Sequence, residues 1–151
     1  MEDQIKVTGH ISIELRDSKG DLKETREIKN LVVSVGKNFL AAWLAAASES
    51  TPFMQFVGLG TGTNPVTSGD TTLQTEFVGG GYGRPTGTVS ASGATLQNTV
   101  TFSAGNGTGA ITEAGLFSAS SSGTMFARQV FSVLNKLAGD TLQLTWQVTF
   151  S

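Results

Sequence analysis

Few residues in this chain could do chemistry, and most of them stand alone. The one histidine, His10, lies inside an alternating segment, and no nucleophile–histidine–acid arrangement can be assembled around it. The acidic residues after position 31 are Glu49, Asp70, Glu76, Glu113 and Asp140. They show neither a paired-carboxylate signature nor the ligand spacing of a calcium loop. We therefore predict no catalytic residue, no metal site and no cofactor.

Glu113 is the acidic residue that needs an explanation, because it stands between Ile111 and the apolar pair Leu116-Phe117. A carboxylate in such a segment is expected to be solvated or paired. Arg128 and Lys136 are the candidate partners, since each is isolated in an otherwise apolar or neutral run. We predict an ion pair that specifies the fold, because removing one member of a partly buried pair leaves the other uncompensated.

The glycine-rich segments do not match nucleotide-binding motifs. A dinucleotide fingerprint through Gly58, Gly60 and Gly62 would need its third glycine at position 63, which is Thr63, and then a helix. A phosphate loop through Gly36 and Lys37 would need glycine where Leu31 stands and Ser or Thr where Asn38 stands. A net charge of −2 gives no reason to expect a nucleic-acid partner either.

Thr141–Phe150 is predicted to be a strand with two different faces. Apolar side chains fall on even positions from Leu142 to Phe150, and Thr or Gln falls on odd positions from Thr141 to Thr149. Period-two alternation predicts one face against a core. The other face is uncharged, so it can pack against a neighbouring subunit without a large desolvation cost.

The first thirty residues predict a charged β-hairpin. Apolar residues alternate from Ile5 to Leu15, a turn follows at Asp17–Asp21, and Leu22–Leu31 returns with several charges. The second strand is interpreted either as an edge blunted by charge or as part of an arm that reaches a neighbouring subunit. For the arm, the predicted interface residues are Ile11, Ile13, Arg16, Glu24, Arg26 and Ile28.

One helix is expected at about residues 35–47, with Ser34 as N-cap and a core-facing stripe. The stripe residues are Phe39, Leu40, Trp43, Leu44 and Ala47. With about eight strands, the chain is predicted to be a mainly β sandwich or barrel-like domain with one packed helix. We divide it into an arm over residues 1–30 and a core domain over residues 31–151.

Composition limits the class of protein. The chain has 151 residues, no cysteine, and 15% charged residues against about 25% in an average domain. Low charge with much Gly, Ser and Thr favours a β protein covered by other subunits, and an ordinary sandwich with a Thr-rich exterior is the alternative. The longest apolar stretch is shorter than the roughly 20 residues of a membrane span, and the charged N-terminus does not resemble a signal peptide.

Three segments together resemble a known family. They are Phe56–Gly62, Thr71–Glu76 and the block Ile111-Thr112-Glu113-Ala114-Gly115-Leu116-Phe117, which a glycine turn and a terminal amphipathic strand follow. In this order the segments resemble the attachment domain of bacteriophage tail-collar fibre proteins, from about Leu31 to the end of the chain. The motif residues carried over are Glu113, Gly115 and Phe117.

The resemblance implies a non-enzymatic subunit of a phage particle, located in the virion and made in the bacterial cytoplasm. It also implies self-association, as a trimer, and contacts with other virion proteins. The charged hairpin in front, and the lack of a shaft, depart from the fibre pattern. Two roles stay open: a collar or adaptor subunit that fixes fibres to the tail, and a decoration (cement) protein that clamps capsid subunits.

Two other functions are alternatives to this interpretation. A carbohydrate-binding module would use Tyr82, Trp43 or Trp146 as a stacking platform, and we expect only Tyr82 to be accessible because both tryptophans lie on apolar faces. A hydrolase would depend on Glu113 or Asp140, although no nucleophile and base can be named for it.

Overall fold

Eight antiparallel strands form one curled sheet, a half-barrel, in a computed structural model that describes residues 4–45 and 54–151. The elements are β1 Val7–Arg16, β2 Leu22–Val32, α1 Ser34–Ala45, β3 Phe56–Gly60, β4 Thr88–Ser92, β5 Thr95–Phe102, β6 Gly109–Phe117, β7 Met125–Lys136 and β8 Thr141–Phe150. Their order across the sheet is β3-β6-β7-β2-β1-β8-β5-β4. The predicted mainly β fold with one helix is confirmed.

The sheet bends into two layers at β2. Only Leu31 and Val32 of β2 pair with β7, at Arg128 and Ala127, whereas β1 pairs with β2 from Gly9 to Arg16. We call β4, β5, β8, β1 and β2 the five-strand layer, and β3, β6 and β7 the three-strand layer. The main core lies between them. Its buried side chains come from both layers, including Ile11, Leu144, Trp146, Leu59 and Leu116.

The predicted separation of residues 1–30 as an arm is wrong. Strand β1 pairs with β8 along its whole length, from Val7 opposite Phe150 to Arg16 opposite Thr141. Ile11, Ile13 and Leu15 are buried in the main core. The hairpin therefore lies in the middle of the sheet, and a boundary at residue 30 would cut through the core.

Helix α1 begins at Ser34, the residue predicted to be its N-cap, and contacts β7. Gly36 allows this approach, because a Cβ atom there would collide with the backbone of Phe126. Phe39 and Leu40 are partly buried against the main core. The prediction that Trp43 faces the core is wrong, since 41% of it is exposed. The Leu44 side chain, Ala47 and the predicted end of the helix near residue 47 lie outside the described residues.

The segments that follow the helix form one strand and one loop. The apolar segment Phe53–Leu59 contributes most of β3, Phe56–Gly60, and Phe53 itself lies outside the described part of the chain. Leu73–Val78 is a loop that forms one isolated bridge, between Glu76 and Gly60. This loop lies over the outer side of the three-strand layer, where Leu73, Phe117, Met125 and Val33 form a second small core.

Candidate functional site

Glu113 and Arg128 form the buried ion pair expected from the sequence. The Glu113 side chain is fully buried, and its Oε2 atom lies 2.8 Å from Nη2 and 2.9 Å from Nε of Arg128. The two residues come from neighbouring strands, β6 and β7, on the side that the loop after β3 covers. The prediction of a Glu113–Arg128 pair is confirmed.

The Glu113 carboxylate also binds the loop that covers it. Backbone N–H groups of Gly62 and Thr75 donate to Oε1, at 3.0 and 2.7 Å, and the N–H of Gln74 donates to Oε2 at 3.1 Å. Hydrogen bonds from backbone N–H groups stabilise a buried carboxylate more strongly than neutral pairs do. One side chain of β6 thus fixes two separate stretches of loop.

Arg128 extends the network to Asp70, which sequence reasoning did not select. Nη1 of Arg128 donates to Oδ2 of Asp70 at 2.8 Å, and Nη2 donates to the Asn64 carbonyl at 3.3 Å. Burial alone would raise the pKa of Asp70. Hydrogen bonds from Thr67 and from Arg128, together with the Arg128 charge, outweigh it and hold that pKa below its usual range. Asp70 therefore favours its charged form.

The glycines of the Gly58–Gly62 segment make room for carboxylates. A Cβ atom on Gly60 would lie 2.6 Å from Oε1 of Glu113 and closer still to the Thr75 carbonyl oxygen, and one on Gly62 would lie 2.5 Å from the same Oε1. A Cβ atom on Gly58 would meet Oε1 of Glu76 at 2.9 Å. The glycines that were compared with a dinucleotide fingerprint therefore make room for two acidic side chains of this chain, Glu113 and Glu76.

A second network, built on Glu76, was also missed. Arg84 binds Glu76 through two parallel hydrogen bonds of 2.7 Å each, and its guanidinium lies 3.5 Å from the centre of the Phe117 ring. Tyr82 donates to Glu76 and accepts from the Leu59 N–H. Burial raises the pKa of Tyr82, and the Glu76 carboxylate raises it further. The opposite charges of Glu76 and Arg84, eight positions apart, were the available sequence signal, because both residues lie outside the periodic segments.

Gly115 and Phe117 of the motif have packing roles. A Cβ atom on Gly115 would lie 2.8 Å from the Phe117 ring and 3.0 Å from Leu73, so glycine lets the ring lie flat on β6. Phe117 is buried in the second small core. These positions hold the covering loop against the three-strand layer.

Lys136 does not pair with Glu113, so this part of the prediction is wrong. Its buried ammonium group donates to the Ser103 carbonyl at 3.1 Å. Burial lowers the pKa of Lys136, although the nearby Asp140 carboxylate opposes the shift. Asp140 itself binds Lys23 at 2.7 Å and accepts from the Leu137 N–H. These two hydrogen bonds lower the pKa of Asp140.

The residues assigned to an arm interface serve the chain's own fold. Ile11 and Ile13 are buried in the core, which contradicts their assignment to a partner surface, and Ile28 packs against that core. Arg26 pairs with Glu24 and donates to the carbonyls of Ser132 and Val133 on β7. Arg16 pairs with Glu14 and donates to the Gly20 carbonyl in the hairpin turn.

The outward side of the five-strand layer forms a broad polar surface, which we call the outer polar face. Its two central rows are Thr88, Thr99, Thr145, Ser12 and Glu27, and Ser90, Gln97, Gln147, His10 and Lys29, each running from β4 to β2. Adjacent side chains bind each other, as Gln147 and Gln97 do at 3.0 Å. On β4, β5 and β8, which are described in full, the outer polar face carries no charge.

The three aromatic residues considered for a stacking platform differ in their exposure. Trp146 is fully buried, as expected, whereas Tyr82 is half-buried and its hydroxyl group is engaged by Leu59 and Glu76. Trp43 is the more exposed aromatic side chain, and it lies on α1, away from Tyr82 in the sequence. The expectation that Tyr82 alone is accessible is wrong.

The described residues contain no cluster of three His or acidic side chains that could hold a metal ion. His10 lies 3.0 Å from Oε2 of Glu27, and Ser12 donates to that same oxygen atom. The hydroxyl group therefore contacts the carboxylate and not the imidazole, which is not the order of a nucleophile–base–acid relay. Within residues 4–45 and 54–151, no helix is long and apolar enough to cross a membrane.

Comparisons with family models, with curated proteins and with solved structures gave no match.

Proposed function

We propose that the protein is a non-enzymatic structural subunit of a bacteriophage virion, mounted at the tail collar where fibres attach. The observation that carries the proposal is the outer polar face, which is broad, regular and uncharged over three strands. Such a surface is suited to being covered by other subunits.

The chemistry of this face favours burial in an assembly. Protein interfaces are depleted of Lys and Glu at their centres, since a charged group must lose its water when it is covered. Thr and Gln side chains keep hydrogen bonds to each other, as Thr95 and Thr149 do at 3.0 Å, so covering them leaves few polar atoms without a partner.

The contacts among the charged side chains also support a structural role. Glu113, Arg128 and Asp70 bind one another, and so do Glu76 and Arg84. Their charges hold a loop on the three-strand layer, which supports a structural role for them. The segments that carry the family resemblance meet in these two networks, which supports the resemblance as that of one folded unit.

The test uses particles of the phage that encodes the chain, grown with an epitope-tagged copy and labelled with gold. The expected result is label at the collar, between the head and the tail. Two further phages each carry one substitution in the tagged copy. Thr145→Lys places a charge at the centre of the outer polar face, and Thr108→Lys places one on an exposed loop. We expect Thr145→Lys to reduce labelling at least tenfold and Thr108→Lys to leave it unchanged.

Label spread over the head would replace the collar role by capsid decoration. Absence of label from intact particles would contradict the virion role altogether. Equal loss in both lysine variants would show that the outer polar face is not the contact surface.

A further inference from the structure

We propose that strand β4 of this chain pairs with β4 of a second copy, edge to edge and antiparallel. This contact should form between purified copies of the chain, so it does not depend on the virion role. It follows from how the four free edges of the curled sheet are treated: β3, the separated parts of β7 and β2, and β4. An open edge invites pairing with another chain unless it is blocked.

The β3 edge is covered by the chain itself. Phe56 bridges Thr86, and Gly60 bridges Glu76. The N–H of Phe77 donates to the Leu59 carbonyl at 3.0 Å, and the N–H of Thr61 donates to the Thr75 carbonyl at 2.8 Å. The backbone groups of this edge already have partners in the covering loop.

The β2 and β7 edges, where the two layers separate, are blocked by charge and by irregular backbone. Glu24 and Arg26 lie on the inward side of β2, and inward charges are a known protection of free edges. On β7 the pairing with β6 is irregular between Val130 and Leu134, where the register shifts. Arg26 also occupies the Ser132 and Val133 carbonyls. A further strand would have to displace this side chain.

The β4 edge carries none of these protections within the described part of the chain. Thr88–Ser92 contains no charge and no proline, and its pairing with β5 runs from Thr88 opposite Thr99 to Ser92 opposite Thr95 without a bulge. All five residues except Val89 are exposed. Strands of this kind, regular and uncharged, are the ones that accept another strand.

A second copy is the partner that fits this edge. The other edges of a neighbouring copy are covered or blocked, so β4 is the edge that two copies can both offer. Antiparallel pairing centred on Ser90 places Val89 opposite Ala91 and Thr88 opposite Ser92, with no charge on either strand. The contact is isologous, so it closes at two copies. It also continues the outer polar face from one copy into the next.

Charge pairing at Ser90 tests this arrangement, because the two-fold axis puts Ser90 opposite itself. We would measure the mass of the purified chain by sedimentation velocity for the wild type, Ser90→Lys and Ser90→Glu, and for an equimolar mixture of the two variants. Like charges directly opposite each other destabilise a strand pair, and opposite charges stabilise it. Thr101→Lys, on the neighbouring strand β5, is the matched control, with thermal unfolding as a check of the fold.

The proposal predicts dimers for the wild type and for Thr101→Lys, monomers for each Ser90 variant alone, and dimers again in the mixture. A monomeric or trimeric wild type, a dimeric Ser90→Lys variant, or a mixture that stays monomeric would each overturn it. A trimer would favour the three-fold association that the family resemblance implies. None of these outcomes bears on the presence of the chain in particles, so this proposal and the virion role fail separately.

Discussion

Glu113 is surrounded by donors on both of its oxygen atoms. Three backbone N–H groups and the Arg128 guanidinium bind it, so the carboxylate compensates for the loss of water with charge-assisted hydrogen bonds. The same arrangement makes the residue hard to replace. A neutral side chain leaves Arg128 buried with one carboxylate instead of two.

We expect Glu113→Gln to lower the free energy of unfolding by about 3–5 kcal/mol, because it breaks a buried ion pair while it keeps the side-chain shape. Urea denaturation measures the change. Glu27→Gln is the control, since Glu27 is 63% exposed and its loss should cost less than about 1 kcal/mol. Equal effects of the two substitutions would show that the buried pair does not stabilise the fold.

Asp140 predicts how stability depends on pH. The pKa of Asp140 is lowered in the folded chain below its ordinary value of 3.8, mainly by the hydrogen bonds from Lys23 and from the Leu137 N–H. Its contribution is therefore complete above that value and is lost as the pH falls through the lower, folded-state pKa. At pH 7 the Asp140→Asn variant should unfold at a lower temperature than the wild type.

The difference between Asp140→Asn and the wild type should shrink as the pH is lowered below about 4, where the wild-type carboxylate takes up its proton. Melting temperatures measured from pH 2 to pH 7 check this. A gap that stays constant over the whole range would mean that the Asp140 charge is not the stabilising feature.

At the scale of elements, the covering loop packs closely on β3 because glycine has no Cβ atom there. Gly60→Ala should destabilise the protein by about 1–3 kcal/mol, because the new methyl group meets the Thr75 carbonyl and the Glu113 carboxylate. Gly83→Ala is the control, since its Cβ atom would meet nothing within 4 Å. Thermal unfolding of the two variants makes the comparison. A larger loss of stability in Gly83→Ala than in Gly60→Ala would contradict the role assigned to Gly60.

The charge pattern of the hairpin favoured a separate arm, but its position in the sheet predicts that the rest of the chain needs it to fold. Because β1 lies between β2 and β8 and buries Ile11, Ile13 and Leu15, a chain of residues 31–151 alone should lose cooperative unfolding. Circular dichroism with thermal melting detects this. A sharp melt of the shortened chain would restore the hairpin as a separate arm.

Period-two patterns predicted β1 and β8 well, because alternation over about ten residues reports one buried face. Alternation does not say which strand covers that face. The partner of β1 is β8, at the far end of the chain, and this pairing turned a supposed arm into the centre of the sheet. The charges on β2 suggested an arm, but the long-range pairing of β1 with β8 determines where the hairpin lies.

The buried ion pair was predictable for a different reason. A carboxylate between Ile111 and Leu116 must find a cation, and only Arg128 and Lys136 stood in neutral segments nearby. The choice between them depended on strand register, which places Arg128 opposite Gly115 and Lys136 opposite Gly109. Asp70 and Arg84 lie in loops, where sequence periodicity carries no information about contacts.

At the scale of the whole molecule, ion-pair networks lie on the three-strand layer, and three strands of the five-strand layer carry no charge. The ion-pair networks of Glu113 and Glu76 lie on the outward side of the three-strand layer, beneath their own loop. The five-strand layer presents uncharged Thr and Gln on β4, β5 and β8. This separation is what we expect of a subunit that fastens its own loops with charge and meets neighbours through neutral surface.

The central claim, that the chain works as a part of a phage particle, is tested most directly by counting it in particles. Gradient-purified virions would be washed in high salt repeatedly, and the ratio of this chain to the main structural proteins would be measured by quantitative mass spectrometry after each wash. We predict a constant ratio through all washes. A ratio that falls to zero, with the chain recovered in the soluble fraction of the lysate, would contradict the account.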